Sequence, residues 1–193
     1  LETPMDISSG EWSVPQSDAQ EVVNFITSEC DKAAAVLPLF HSDVDLGRAT
    51  KGAALALKTR SLLYLASELH NDSNDKSKWQ DAADAAKEVI NLQVYELDEN
   101  YKGLFQSRTS KEIIYQSTIN YANDFTLHMF SPSYGGQGRI TPLQNLVDDY
   151  EMSNGAAPII YEGGIRKVNV ESGYDPAKPY VNRDPRFYMS ILY

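Results

Sequence analysis

The sequence has very little cysteine and no long apolar run, and both absences limit what the chain can be. Its single cysteine, Cys30, cannot form an internal disulfide bond, so cysteine use indicates no redox compartment. We expect Cys30 to be a small buried residue of a helix. No stretch approaches the roughly 18 apolar residues of a membrane-spanning helix, and residues 1–10 lack the features of a signal peptide. Because the chain starts without Met and stops within an apolar run at 191–193, we expect a fragment whose targeting signal lies outside it.

Basic residues are also scarce. The chain has 17 Lys and Arg against 27 Asp and Glu, which gives a formal net charge of -10. A chain of this charge repels phosphate backbones and anionic lipid surfaces. The composition therefore argues against nucleic acid as a partner, and against binding to a membrane through the chain itself.

Patterns of catalysis and cofactor binding are missing as well. The sequence contains no G-x-S-x-G, H-E-x-x-H, P-loop or G-x-G-x-x-G pattern. The three histidines are too dispersed for a metal site, and the 72–75 loop lacks the Gly and terminal Glu of an EF-hand. Asp148, Asp149 and Glu151 are interpreted as a solvated helix face, because neighbouring carboxylates on one helix point in different directions. We expect a protein that is not an enzyme and has no cofactor and no metal.

What is present favours an ordinary globular domain, with 42% hydrophobic and 23% charged residues. Capping residues Ser17 and Asp18 predict a first helix that Pro38 ends. A second helix, from about Ala49 to Leu69, is so rich in Ala and Leu that it is apolar nearly all round. Ser77 and Gln80 predict the start of a third helix that runs to 91. Its inner face is predicted to contain Trp79, Ala82, Ala83, Ala86, Val89 and Ile90.

A helix that is apolar on all sides must be covered on several of them, as in stacked helical hairpins. Large, small and aromatic residues at 57, 61 and 64, and again at 79–89, loosely follow tetratricopeptide spacing. The loop that connects the two helices is too long for a standard repeat. A tetratricopeptide-like pair and any other antiparallel helix pair both remain open.

Beyond residue 91 the helical pattern stops. The segments at 94–105 and 111–120 are short, β-branched and aromatic, which is typical of strands or extended connectors. A long loop covers 121–139, Thr141 and Pro142 predict a short helix, and 156–193 has no long periodic stretch. The predicted fold is mainly α: tetratricopeptide-like helical hairpins with an irregular, loop-rich ligand-binding region and a few short strands.

The long loop is the best candidate for a binding site. A flat aromatic ring can cover the C–H face of a pyranose while polar groups bond its hydroxyls, and a neutral ligand needs no cationic site. The alternative is that each ring packs against the helical layer. The candidate aromatic residues are Trp12, Tyr121, Phe130 and Tyr134, and their candidate polar partners are Asn123, Asp124, Gln137 and Arg139.

Several segments together carry a resemblance to a known family. They are SVPQSDAQEVVNFITSECDKAAAVLP, GRATKGAALALKTRSLLYLASELHN, WQDAADAAKEVI, KEIIYQ, PSYGGQGRITPLQNLVDDYEMSNGAAP and YVNRDPRFYMSILY. In this order and spacing they resemble the SusD/RagB family of Bacteroidetes outer-membrane lipoproteins. The resemblance spans nearly the whole chain. It implies one SusD-like domain, here a fragment at 1–193, with a helical scaffold at 17–91 and an irregular ligand-binding elaboration at 92–193.

The resemblance also implies a function. Such proteins are tethered to the cell surface by a lipidated N-terminal cysteine, partner a SusC-like TonB-dependent transporter, and capture glycans or, in some members, peptides. The scaffold would dock the transporter, and loops 121–139 and 156–182 would shape the ligand face. The sequence lacks the signal peptide, lipidated cysteine and C-terminal remainder of the family, and Cys30 is not the anchor. Ligand residues vary within the family, so none is carried over.

These observations predict non-catalytic binding of an oligosaccharide or polysaccharide at the cell surface. Two alternatives are a tetratricopeptide-like module that binds proteins and a RagB-type protein that captures peptides. A glycoside hydrolase is the least favoured, because the acid and base of such enzymes arise from separate elements.

Overall fold

A computed structural model describes residues 15–117 and 125–193. Within these residues the chain is mainly helical, and the predicted fold class is confirmed. Short 3-10 turns lie at 43–45, 68–70, 132–134 and 170–172. The elements are α1 (Ala19–Val36), α2 (Lys51–Ala66), α3 (Lys76–Asn91), α4 (Tyr101–Leu104), α5 (Phe125–Met129), α6 (Gln144–Asp149), β1 (Ile159–Glu162), β2 (Ile165–Val168) and α7 (Pro185–Ser190).

The described residues form two compact units. The first unit comprises 15–97 and 109–117, and the second comprises 98–108 and 125–193. The chain therefore leaves the first unit after residue 97 and returns to it at 109. The scaffold boundary after residue 91 stays a prediction.

The ends of the long helices follow from their capping residues. Asp18 Oδ1 accepts hydrogen bonds from the backbone N–H groups of Gln20 at 2.6 Å and Glu21 at 3.1 Å, so α1 begins where the sequence predicts. The predicted cap of α3 was wrong by two residues. Asp75, rather than Ser77, caps this helix, and its carboxylate accepts the Ser77 N–H at 2.9 Å. Asp75 can do this because its own backbone is extended, which is the usual conformation just before a helix.

Helix α2 packs against both α1 and α3, as its apolar composition predicts. A small core joins Ala34 of α1 to Ala54 and Leu55 of α2, with Ala33, Leu37, Val89 and Leu92 packed around it. Coverage is incomplete, because Leu57 and Tyr64 remain 54% and 58% exposed.

The predicted inner face of α3 is only partly right. Ala82 is buried as expected, but Ala85 is buried in place of Ala83. Ile90 is 73% exposed and Trp79 is 42% exposed. The buried face is therefore narrow and made of alanines, which lets α3 approach α2 closely.

Lys58 of α2 ties the three long helices together. Its ammonium group donates to Asp31 of α1 at 2.7 Å and to Glu88 of α3 at 3.1 Å, and its side chain is 15% exposed. Burial alone would lower the pKa of Lys58, but the hydrogen bonds to Asp31 and Glu88 outweigh it and raise the pKa. The charged form is therefore the one that the folded unit stabilises.

We expect Lys58→Met to lower the free energy of unfolding by about 1–2 kcal/mol, because the two charge-assisted hydrogen bonds disappear while the apolar stem remains. Urea denaturation followed by circular dichroism measures this change. Lys87→Met, at an exposed position of α3, is the matched control and should change stability by less than about 0.5 kcal/mol. Equal effects of the two substitutions would contradict a bridging role for Lys58.

The strands of the second unit lie where none was predicted. β1 and β2 form an antiparallel hairpin in which Ile159 pairs with Val168 and Tyr161 pairs with Arg166. The turn between them is Gly163 and Gly164, with φ of +59° and +80°, a conformation that a two-residue hairpin turn requires. In the described parts of 94–105 and 111–120 there is no strand, and α4 lies in the first segment. The interpretation of those segments as strands was wrong, and α4 also contradicts a fully extended connector in the first segment. The remaining described residues of both segments are connectors.

The segment that begins α7 holds the second unit together. The Arg183 side chain is 3% exposed and donates three hydrogen bonds to backbone oxygens: to Pro179 at 2.9 Å, Val147 at 2.6 Å and Tyr150 at 2.7 Å. Its guanidinium also lies 4.8 Å from the ring centre of Phe187, which is fully buried. Through these contacts, one side chain fixes the end of α6 against the start of α7.

Candidate ligand-binding surface

The predicted long loop contains an ordered turn, which we call the aromatic turn (residues 125–140). After α5 the backbone folds back on itself. The N–H of Gln137 donates to the Leu127 oxygen at 2.6 Å, and the N–H of Gly138 donates to the Phe130 oxygen at 2.8 Å. The N–H of Arg139 donates to the His128 oxygen at 2.8 Å. These bonds give the turn a fixed backbone, so the Cα positions from which its rings extend are held in place.

Two glycines allow this geometry. Gly135 follows the 3-10 turn at 132–134 with φ of +79°, a left-handed conformation that other residues rarely adopt. Gly136 lies so close to Phe130 that a Cβ atom there would be 2.0 Å from the Phe130 carbonyl oxygen. The glycine-rich sequence that marks the loop is therefore needed to close the turn.

The structure places four of the eight predicted binding residues together in this turn. Phe130 is 43% exposed and Tyr134 is 82% exposed, so both rings have free area for a ligand. Gln137 and Arg139 are also exposed, within five residues of Tyr134. The other four predicted residues lie outside the described residues: Trp12, Tyr121, Asn123 and Asp124.

A polar group that was not predicted from the sequence, the carboxylate of Asp148, follows the aromatic turn in the chain. Asp148, predicted to be on a solvated helix face, is 4% exposed, and this prediction was wrong. Arg166 of β2 holds it through two hydrogen bonds, from Nε to Oδ2 at 2.6 Å and from Nη2 to Oδ1 at 2.8 Å. The hydroxyl of Tyr161 donates to Oδ2 at 3.0 Å, and the amide of Gln144 donates to Oδ1 at 2.9 Å. We call these four residues the Asp148 cluster.

The bonds of the Asp148 cluster set its charge. Burial alone would raise the pKa of Asp148, but the hydrogen bonds from Arg166, Gln144 and Tyr161 outweigh burial and lower the pKa. The hydrogen bonds with Asp148 raise the pKa of Arg166. The cluster is thus a stable ion pair, and the charge of the carboxylate offsets the charge of the guanidinium.

The first unit contains a cleft of its own, with a volume of about 180 Å³. Exposed rings of Phe40 and Tyr115 line it, at 72% and 60% exposure. Its two cationic side chains are each paired with a carboxylate, Arg48 with Asp45 at 3.0 Å and Lys111 with Glu96 at 2.9 Å. The cleft is therefore lined mainly by apolar residues, and the positive charges at its rim are paired with negative ones.

The described residues contain neither a cluster of metal ligands nor a membrane-spanning helix. Across 15–117 and 125–193, no group of three or more His, Cys, Asp or Glu side chains is placed to hold a metal ion. In the 71–75 loop, buried Asn71 accepts the Asp75 N–H at 2.8 Å and donates to the Ala66 and Asp75 oxygens. The side-chain amide of Asn71 therefore holds the 71–75 loop in place. No helix in the described part of the chain combines the length and the apolar character needed to cross a membrane.

The fold and the aromatic turn define a class: a mainly helical protein whose candidate ligand surface is an irregular segment with exposed rings. Residues 87–193 match the model of the SusD family, which is more than half of the chain. The chain belongs to the SusD family. This confirms the resemblance found in the sequence.

Two solved structures are similar to the chain. One is a SusD-like protein from Bacteroides fragilis, 26% identical, with a TM-score of 0.70, covering 98% of this chain and 37% of that protein. The other is a SusD-like carbohydrate binding protein from the same organism, 25% identical, with a TM-score of 0.73, covering 100% of this chain and 35% of that protein. The chain thus spans only about a third of the length of these relatives. No curated protein matches its sequence.

Proposed function

We propose that the chain is part of a non-catalytic protein that binds an oligosaccharide or polysaccharide at the bacterial cell surface. The observation that carries this proposal is the aromatic turn, where the Tyr134 ring is 82% exposed on a backbone fixed by hydrogen bonds. Because the backbone of the turn is already ordered, stacking of this ring on a sugar need not order the backbone as well. Membership of the SusD family, and the carbohydrate binding protein among its structural relatives, support the same ligand class.

The proposal includes the protein's setting. We place it in the outer membrane, anchored by lipid, where it delivers its ligand to a SusC-like TonB-dependent transporter. In this arrangement the helices of 17–91 form a scaffold that docks the transporter, and residues 92–193 bind the ligand. The net charge of -10 fits a neutral ligand better than an anionic one.

The prediction for the aromatic turn is that Tyr134→Ala weakens glycan binding by about 3- to 10-fold, the loss of one stacked ring. Affinity electrophoresis in gels that contain soluble starch, xylan, xyloglucan or mannan measures the binding. The glycan that retards the wild-type chain most is used for the variants, and Phe130→Ala should act in the same direction.

The matched control is Tyr64→Ala, which removes another exposed tyrosine ring, 58% exposed, from α2 in the first unit. It should leave retardation unchanged. Equal retardation of wild-type and Tyr134→Ala chains would contradict binding through the turn, and release of reducing sugar during incubation would indicate a hydrolase.

One observation favours a second candidate function. Leu57 and Tyr64, seven residues apart on one face of α2, are each about half exposed, at 54% and 58%. Apolar side chains grouped on a helix are typical of a protein-binding surface. A chain that no glycan retards, but that binds the transporter or a peptide, would favour an interaction module or peptide capture of the RagB type.

A further inference from the structure

We propose that Arg166 and Tyr161 form a second contact site for the glycan, one that bonds the hydroxyl groups of a neutral pyranose. This inference rests on the proposed function. It assigns part of the ligand surface to the β1–β2 hairpin, apart from the aromatic turn, and it specifies a neutral sugar.

The guanidinium of Arg166 is fixed in position while part of it faces solvent. Two of its three nitrogens bond Asp148, at 2.6 Å and 2.8 Å. The Asp148 side chain is 3% exposed, whereas the Arg166 side chain is 41% exposed. An arginine carries five N–H donors. The two bonds to Asp148 use two of them, and the Tyr174 side chain is close enough to take a third, which leaves two. The N–H groups that remain are therefore held in a fixed position, whereas those of an ordinary surface arginine move with the side chain.

The charges around this edge select the ligand. Because buried Asp148 offsets the charge of Arg166, the pair offers hydrogen-bond donors without a net positive charge. The neighbouring Lys167 is paired with Glu162 and adds no unpaired cation. A uronate or sulfate would meet no uncompensated cation here, while the hydroxyl oxygens of a neutral sugar can accept from the guanidinium.

Tyr161 supplies a ring beside the guanidinium. It lies directly opposite Arg166 in the hairpin, and side chains at opposed positions of an antiparallel pair are neighbours on one face. Its hydroxyl is held by Asp148 at 3.0 Å, which fixes the ring, and the residue is 45% exposed. A ring next to fixed donors is the pairing that a pyranose requires, because its C–H face is apolar and its edge is polar.

The test compares two arginines of the same kind. Arg186, 62% exposed and bonded to Asp184 at 2.6 Å, resembles Arg166 in its pairing but lies outside the hairpin. Arg166→Lys and Arg186→Lys each keep a cation beside a carboxylate and lose the fork of donors. The probes are maltohexaose, cellohexaose, xylohexaose and mannohexaose, each titrated by calorimetry.

We expect Arg166→Lys to weaken binding of the best hexaose by about 5- to 20-fold and Arg186→Lys to change it by less than about 2-fold. Tyr161→Ala should weaken binding, and Tyr161→Phe, which keeps the ring, should weaken it less. Hexagalacturonate should bind more weakly than the neutral hexaose, and tighter binding of this anion would overturn the neutral assignment.

The outcomes also separate this inference from the proposed function. If Tyr134→Ala weakens hexaose binding and Arg166→Lys does not, the second site is wrong while glycan binding stands. If the wild-type chain binds no hexaose and no gel glycan, the proposed function fails and this inference with it. If Arg166→Lys lowers the melting temperature more than Arg186→Lys does, its loss of binding does not distinguish a ligand contact from lost stability. The NMR resonance of the Arg166 Nε–H in the wild-type chain then decides. A shift on saturation with hexaose supports the site, and an unchanged resonance overturns it.

Discussion

Replacement of Arg183 by methionine should lower the free energy of unfolding by about 3–5 kcal/mol. The side chain is 3% exposed and donates to the oxygens of Pro179, Val147 and Tyr150 at 2.6–2.9 Å. Methionine fills much of the same volume but donates nothing, so three partly buried backbone oxygens lose their partner. An unpaired buried acceptor costs about 1–3 kcal/mol.

Urea denaturation followed by circular dichroism gives this value. Arg186→Met, three residues further along in α7, is the matched control. It removes an arginine that is 62% exposed, and should cost less than about 1 kcal/mol. Arg183→Lys should fall between the two, because one ammonium cannot reach all three oxygens in the geometry of a guanidinium. A loss below about 1 kcal/mol for Arg183→Met would show that these hydrogen bonds do not hold the second unit together.

The second large effect is expected at Phe187, the centre of an aromatic cluster. Phe187 is fully buried, and its ring meets those of Tyr150 and Tyr188 edge-on at 5.7 Å and 5.4 Å. Phe187→Ala should lower the free energy of unfolding by about 3–5 kcal/mol, because it removes buried apolar area and leaves a cavity. It should also weaken the near-ultraviolet circular dichroism of the tyrosines, which depends on their fixed packing.

Met189→Ala, at a position of α7 that is 46% exposed, is the control for Phe187→Ala. It should cost less than about 1 kcal/mol and leave the tyrosine signal unchanged. Phe187→Leu should lie between them, since a smaller cavity remains. A Phe187→Ala variant as stable as the wild-type chain would mean that this ring is not the core of the unit.

Helices defined by local chemistry could be predicted from the sequence. Asp18 marks the start of α1. The helix ends just before Pro38, because proline has no backbone N–H with which to continue the helical hydrogen bonds. The cap of α3 could not be fixed in the same way, because Asp75 and Ser77 both suit the position. The backbone conformation decides between them, and it depends on the loop that Asn71 holds.

The hairpin was missed although its sequence contains a signal. Ile159, Ile160 and Tyr161 before Gly163-Gly164, with Ile165 and Val168 after it, are typical of two short strands around a tight turn. The Asp148 cluster left no such signal. Asp148 and Arg166 are 18 residues apart, and only the folding of the hairpin onto α6 brings them together. Burial of a carboxylate through a distant partner is a tertiary property, which helix periodicity does not contain.

The candidate binding residues divide along the same line. The aromatic turn could be predicted, because its aromatic residues and glycines form a pattern that is visible in the local sequence. That two glycines permit its closure is visible only in the positive φ of Gly135 and in the 2.0 Å approach at Gly136. The role proposed for Arg166 depends on which carboxylate holds it, and the sequence does not show that.

The path of the chain between the two units has a consequence for the order in which they form. Residues 98–108 belong to the second unit, where α4 contacts α7, yet they interrupt the first unit. Glu96 and Lys111 meet on either side of this excursion through a salt bridge of 2.9 Å. On a ribosome, helices α1 to α3 therefore emerge before the segment that completes their unit. Helix α4 emerges next and must wait, without its partner, until residues 185–190 have been synthesised.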